Sequence, residues 1–130
     1  LIAGVGDGCI DVTGHKLAHA PSFSATVQYA HTLHMNDGST WTPRLSLHYE
    51  TESWLSIFNY GEMDRQKAYT RTDLGLRYAN AKRSWYVEGY VRNVENANIK
   101  TSAAGGPTVA LSVAQYMAPR TFGINAGIDF

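Results

Sequence analysis

The chain has 130 residues, which suits one ordinary domain, and its eleven lysines and arginines balance eleven aspartates and glutamates. Because the whole chain has no net charge, no overall field attracts nucleic acid, and nucleic acid is not an expected partner. No apolar run approaches the roughly 18 residues of a membrane-spanning helix, which excludes a helical membrane protein. No signal peptide is visible after Leu1, so we expect a mature, trimmed or partial chain.

The first segment, residues 4–20, is rich in glycine and contains the single cysteine, Cys9. Cys9 cannot form a disulfide within this chain, so it is either a free thiol or paired elsewhere. The stretch "GVGDG" lacks the glycine spacing of a phosphate-binding loop and no helical pattern follows it. We therefore expect a flexible loop here.

Period-two alternation of apolar and polar residues then dominates the chain and predicts an all-β protein. An Asn-Asp-Gly turn at 36–38 separates the first two strands, and "ANAKR" separates the third and fourth. The five predicted strands cover residues 23–30, 43–57, 70–78, 84–94 and 119–130. A long connection with a possible extended part precedes the last strand.

Charged residues fall on one face of these strands. That face carries the charges Arg44, Glu50, Glu52, Arg71, Asp73, Arg77, Glu88, Arg92 and Asp129, while Arg120 lies at the outer end of the apolar face. A soluble antiparallel sandwich shows the same segregation. The predicted strands, however, approach the roughly 9–11 residues that cross a bilayer at a tilt, which favours an antiparallel transmembrane β-barrel segment.

Aromatic residues and connection lengths support the same interpretation. Aromatic side chains near strand ends predict interface girdles; they are Tyr29, Trp41, Tyr49, Tyr78 and Trp85. Short turns alternate with long connections, as in outer-membrane barrels with short periplasmic turns and long outer loops. The last strand is then expected to run inward.

Three phrases in order resemble the TonB-dependent receptors of the Gram-negative outer membrane: residues 8–31, 84–96 and 116–130. Gly14, Leu17, Ala20 and Pro21 are similar to the start of a late barrel strand of that family. Cys9 is similar to a loop cysteine that some members pair with an upstream one, which is missing here. The resemblance covers most of the chain.

The resemblance implies that residues 1–130 are the last five or six strands of a barrel of about 22 strands, without the plug domain. It implies energy-coupled uptake of a scarce nutrient such as a ferric siderophore. The implied partners are outer-membrane lipid, the rest of the barrel and plug, the TonB energy-coupling complex and the barrel-assembly machinery. The C-terminal signal shown to that machinery would be the alternating set Phe122, Ile124, Ala126, Ile128 and Phe130.

The candidate substrate contacts lie in the two long loops, since loops carry binding while the scaffold holds them. By residue type they are Tyr60, Arg65, Tyr69 and Tyr116. No metal site is expected, because His31 and His34 fall on opposite faces of a strand and the other histidines add no ligand spacing. Glu50 and Glu52 are interpreted as a solvated wall rather than a catalytic pair.

We therefore expect no enzyme and no cofactor. Two alternatives remain open at this point. One is a soluble all-β sandwich that binds a partner and buries the same face against a second sheet. The other, less favoured, is a barrel enzyme, since fold does not fix function.

Overall fold

The structure, a computed structural model, describes residues 11–105 and 113–128. These residues form ten β-strands and one short 3₁₀ helix, Gly61–Asp64. The strands are β1 (Ser24–Ala30), β2 (Leu33–His34), β3 (Thr40–Glu50), β4 (Ser53–Trp54), β5 (Arg65–Gln66), β6 (Tyr69–Ala79), β7 (Trp85–Arg92), β8 (Lys100–Ala104), β9 (Val113–Tyr116) and β10 (Thr121–Ile128). The protein is all-β.

One antiparallel sheet organises the molecule, with strand order β1-β3-β6-β7-β10 and β2 paired beside β3. The strands β1, β3, β6, β7 and β10 correspond to the five predicted strands, and they lie side by side in chain order. Two-stranded sheets of β4 with β5 and of β8 with β9 lie within the long connections. The main sheet is open, since β1 and β10 each pair on one side only within the described residues.

Two short turns join strands at the same end of the sheet, which we call the short-turn end. In one, Asp37 Oδ1 accepts hydrogen bonds from the Ser39 hydroxyl (2.6 Å) and the Ser39 amide (2.9 Å), which hold the pKa of Asp37 below its usual range. Gly38 has φ +83°, and a Cβ there would lie 3.2 Å from the Cβ of Ala81 in the other turn. The two turns are therefore side by side, and the positive φ of the Asn-Asp-Gly turn requires glycine at position 38.

The strand pairing keeps the two faces separate across the whole sheet. On one face, Val27 pairs with Leu47, Leu45 with Leu74, and Leu74 with Val91. Phe122 continues that row beside Val91. On the other face the pairs are polar, for example Ser46 with Asp73. We call these the apolar face and the polar face, and the predicted alternation of both is confirmed.

No second layer covers the apolar face within residues 11–105 and 113–128. Phe122 and Ile124 are 78% and 77% exposed, and Val27 is 59% exposed. The buried apolar side chains of the described residues are Leu55 and Ile99, both in the long connections. No helix of these residues is long and apolar enough to cross a membrane. The sheet thus has no apolar core of its own on either side.

One expectation about the elements is wrong, and another is incomplete. The strand predicted over 43–57 begins at Thr40 and ends at Glu50. It ends there because the main chain and the hydroxyl of Thr51 both bond to the main chain of Phe23, which closes the pairing between β1 and β3. The chain then turns away and buries Ser53 and Leu55. In the connection before the last strand, β9 lies in the second half, where an extended part was expected, and it pairs with β8, which was not predicted.

Candidate functional site: the interlocked loops

All long connections meet at the end of the sheet opposite the short turns, which we call the long-loop end. They are the leader (residues 11–23), the first loop (51–68) and the second loop (93–120), of which 106–112 are outside the described residues. The leader contacts the first loop through main-chain groups. The His19 amide donates to the Trp54 carbonyl at 2.7 Å, and Asn59 exchanges two hydrogen bonds with the main chain of Lys16.

The first loop is organised around the buried carboxylate of Asp64. Its Oδ2 accepts the Ser56 hydroxyl at 2.5 Å and the Tyr60 amide at 3.2 Å. The Asp64 carbonyl accepts the Leu55 amide at 2.8 Å. A buried carboxylate needs such donors to offset the loss of water. The carboxylate of Asp64 therefore holds the start of the short 3₁₀ segment, and its carbonyl holds the end.

Lys100 connects the second loop to the first. Its ammonium donates to the carbonyls of Glu62 (2.9 Å), Met63 (3.3 Å) and Arg65 (3.3 Å), which lie where the 3₁₀ helix ends. A cation at the carbonyl end of a helix satisfies acceptors that lack partners within the helix. The Lys100 amide also donates to Oε1 of the buried Gln66 at 2.6 Å. The two loops therefore pack as one unit.

Asn93 anchors the second loop where β7 ends. It is 2% exposed, and its φ of +53° lies in the left-handed region, which asparagine tolerates better than most residues. Its Oδ1 accepts a hydrogen bond from the Ala97 amide (2.9 Å), and its Nδ2 donates hydrogen bonds to the carbonyls of Ala97 (3.1 Å) and Ala118 (3.3 Å). The start and the end of the second loop are thus held at one residue.

Glu95 adds a link from the second loop to the scaffold. Its carboxylate accepts the Thr72 hydroxyl and, at 2.8 Å, the Thr72 amide. The Thr72 hydroxyl is the main cause of a pKa for Glu95 below its usual range.

A polar pocket of about 450 Å³ lies between the two loops. Arg65 forms ion pairs with Glu52 and, at 3.1 Å, with Glu62. Lys67 contacts Glu62 at 3.3 Å and is the first cause of the lowered pKa of Glu62, whereas Glu52 raises the pKa of Arg65. The pocket lining is Glu62, Arg65, Gln66, Lys67, Asn98, Lys100 and Tyr116. It can offer ammonium, amide and phenol groups to a polar ligand.

The structure brings two of the four candidate contact residues, Arg65 and Tyr116, to this pocket. Tyr60 stacks on Phe58 with ring centroids 5.3 Å apart. Tyr69 is the first residue of β6, and its hydroxyl donates to Glu50 at 3.3 Å. Neither Tyr60 nor Tyr69 lines the pocket. The sequence pattern missed Lys100, Gln66 and Asn98, since nothing in their local sequence distinguishes them from ordinary loop residues.

The aromatic residues expected at interfaces lie on the apolar face. Trp41, Tyr78 and Trp85 form a row at the short-turn end, with centroid separations of 5.0 Å and 5.4 Å. Tyr49 lies at the long-loop end, 6.3 Å from Phe23. Tyr29 is the last residue but one of β1 and pairs with Leu45.

The C-terminal set lies on β10 as an exposed row of apolar side chains on the same face. Phe122, Ile124, Ala126 and Ile128 pair with Val91, Gly89, Val87 and Trp85. Phe130 lies outside the described residues, as does Cys9.

The polar face carries tyrosines that lie over glycines. Tyr86 pairs with Gly127 and Tyr90 with Gly123, and a Cβ on either glycine would lie within 2.7 Å of ring atoms. The guanidinium of Arg77 covers the Tyr86 ring at 3.8 Å from its centroid, a favourable cation–π contact. Arg92 lies 5.1 Å from the Tyr90 centroid.

The charges of this face compensate one another only in part. Arg44 reaches across β6 to Glu88 at 3.2 Å, and Arg71 contacts Asp73 at 3.5 Å. Within the described residues Arg77 and Arg92 form no salt bridge, and each lies over a tyrosine ring instead.

The part of the chain that the structure describes contains no group of three or more histidine, cysteine, aspartate or glutamate side chains that could hold a metal ion. No family model, curated protein or solved structure matches the chain. The functional interpretation therefore depends on the geometry of the sheet, its two faces and its interlocked loops.

Proposed function

We propose that the chain is the C-terminal part of the β-barrel of a TonB-dependent receptor in the Gram-negative outer membrane. The receptor takes up a scarce nutrient, such as a ferric siderophore, by energy-coupled transport rather than by catalysis. In this proposal the apolar face contacts lipid and the polar face lines the lumen. The long-loop end faces outward, and the short-turn end faces the periplasm.

The uncovered apolar face is the observation that carries this proposal. Its apolar side chains pair with one another across five strands, and the rows at both edges remain exposed. Soluble proteins rarely expose continuous apolar patches larger than a few hundred Å². A lipid-facing barrel wall requires such a surface, and it requires a polar inner face behind it.

Strand length and the position of the aromatic row add support. β3 and β6 have eleven residues each, which matches the roughly 9–11 residues of a tilted membrane-crossing strand. Trp41, Tyr78 and Trp85 lie together where these strands end, as interface aromatics do. Five main strands are fewer than the roughly eight of the smallest barrels. The proposal therefore requires the other barrel strands as partners beside β1 and β10, with the plug inside the barrel that they complete.

The interlocked loops are the proposed substrate-facing element. Their pocket places Arg65 and Tyr116, together with the exposed ammonium of Lys67, at the outward end of the scaffold. The TonB complex would act through the plug, and the barrel-assembly machinery would act on the C-terminal strand.

The three tryptophans permit a direct test of lipid contact. Trp41 and Trp85 lie on the apolar face, whereas Trp54 lies in β4 of the first loop. We would prepare the 130-residue chain with one tryptophan at a time, the others replaced by phenylalanine, in micelles of a brominated nonionic detergent. Bromine atoms should quench Trp41 and Trp85 strongly and Trp54 weakly.

Equal quenching of all three tryptophans would contradict the proposal. A monodisperse folded chain in the absence of detergent would contradict it as well, and would favour the soluble sandwich, in which the apolar face is buried against protein.

A further inference from the structure

A second pocket, of about 510 Å³, lies on the polar face at the short-turn end, far along the strands from the interlocked loops. Three elements position its cations: Arg44 from β3, Arg77 from β6 and Arg83 from the turn between β6 and β7. Hydroxyl groups and an imidazole complete the wall. The remaining lining residues are Thr32, His34, Thr40, Thr42, Ala79 and Tyr86.

Every polar side chain that lines this pocket can donate a hydrogen bond. Among the described residues, no carboxylate lines it. The neighbouring carboxylate Glu88, which pairs with Arg77 in the sheet, is already engaged by Arg44 at 3.2 Å. The turn carboxylate Asp37 accepts its hydrogen bonds from Ser39. Neither Arg77 nor Arg83 forms a salt bridge within the described residues.

Arg77 is held in place before any ligand arrives. Its guanidinium carbon lies over the Tyr86 ring, 3.8 Å from the centroid, and that ring in turn lies close against Gly127. Stacking uses the face of the guanidinium plane and leaves its N–H groups, which lie at the edge, able to bind an oxyanion. The cation is therefore oriented without being neutralised.

We propose that this pocket binds a phosphate group. A carboxylate is satisfied by one bidentate arginine, whereas donors that converge from three elements suit the several oxygens of a tetrahedral dianion. The volume also exceeds that of one phosphate, so the group could come either as inorganic phosphate or as a phosphate ester of a small polar molecule. This inference does not depend on the transport proposal, because it stands on the charges of the polar face alone.

The test is calorimetric titration of the full chain, at pH 7 and low salt in a nonionic detergent, with inorganic phosphate, a sugar phosphate and acetate as separate probes. We expect saturable binding of at least one phosphate probe, with acetate much weaker. The probe that binds more tightly identifies the source of the group. Absence of saturable phosphate binding, or equal binding of acetate, would overturn the proposal.

Three substitutions assign the site. R77Q and R83Q should each weaken phosphate binding by about tenfold, the effect expected when one charge-assisted hydrogen bond is lost. R71Q, on the same face but paired with Asp73 and outside the pocket, should leave it within about twofold, since a single charge at that distance is screened. Because Arg83 lies in an exposed turn, R83Q keeps the test valid even if R77Q does not fold. An equal loss in R71Q would overturn the assignment.

Discussion

At the scale of single residues, the polar face depends on two glycines that no side chain can replace without movement. A Cβ on Gly127 would lie 2.4 Å from the Tyr86 ring, and one on Gly123 would lie 2.6 Å from the Tyr90 hydroxyl. Gly89, on the apolar face, has nothing within 4 Å of the same position. Glycine is therefore required on β10 by the close approach of rings rather than by backbone conformation.

We expect Gly127→Ala to lower the free energy of unfolding by about 1–3 kcal/mol, because overpacking forces the Tyr86 ring and its stacked Arg77 to move. Gly89→Ala is the matched control and should change stability by no more than about 0.5 kcal/mol, as open surface substitutions do. Urea unfolding of the full chain in micelles, followed by tryptophan fluorescence, measures both. Equal effects of the two substitutions would contradict the ring-over-glycine packing.

At the scale of elements, single polar side chains hold the long loops, and Asn93 is the clearest example. Replacing it by glycine keeps the left-handed backbone available but removes the side-chain bonds to residues 97 and 118, whereas alanine also adds backbone strain of roughly 1–2 kcal/mol. We expect both variants to speed hydrogen exchange at the Ala97 amide, because that amide donates a hydrogen bond to Asn93 Oδ1.

The amide of Val87, within β7, is the internal control for the Asn93 variants and should exchange at its original rate. Alanine should be the less stable variant in denaturant. Unchanged exchange at Ala97 in both variants would show that the loop does not depend on this residue.

These elements also show what the sequence could and could not predict. The five long strands of the six-stranded main sheet and their two faces follow from period-two alternation, because one buried or lipid-facing side imposes that pattern locally. The end of β3 did not follow, since Thr51, Ser53 and Leu55 continue the same alternation after the chain has left the sheet. The loop pocket did not follow either, because Gln66 and Lys100 are 34 positions apart and carry no local signal.

At the scale of the whole molecule, the apolar face and the polar face should tolerate a new charged side chain to different degrees. Leu45 and Ser46 are neighbours on β3, but Leu45 lies in the apolar row beside Leu74, and Ser46 lies opposite Asp73. We expect Leu45→Arg to lower the free energy of unfolding in micelles by about 2–4 kcal/mol, the cost of a cation at the lipid midplane of a barrel.

Ser46→Arg, which places the same charge beside Asp73 on the polar face, is the control and should change stability by less than about 1 kcal/mol. Urea titration of both variants gives the comparison. A small effect of Leu45→Arg would mean that the apolar face contacts neither lipid nor protein. The resemblance to TonB-dependent receptors stays a prediction, and the tryptophan quenching experiment above is its first test.

The paired tyrosines and glycines also decide how β10 can slide along β7. A shift of one residue would turn the apolar row of β10 toward the polar face and is opposed by that pattern alone. A shift of two residues keeps every side chain on its own face, so the apolar pattern does not oppose it. Such a shift would place Asn125 under Tyr86 in one direction and under Tyr90 in the other. Only glycine leaves room beneath the rings. The equal spacing of the two tyrosines on β7 and the two glycines on β10 therefore excludes the two-residue shift, which the apolar pattern alone would allow.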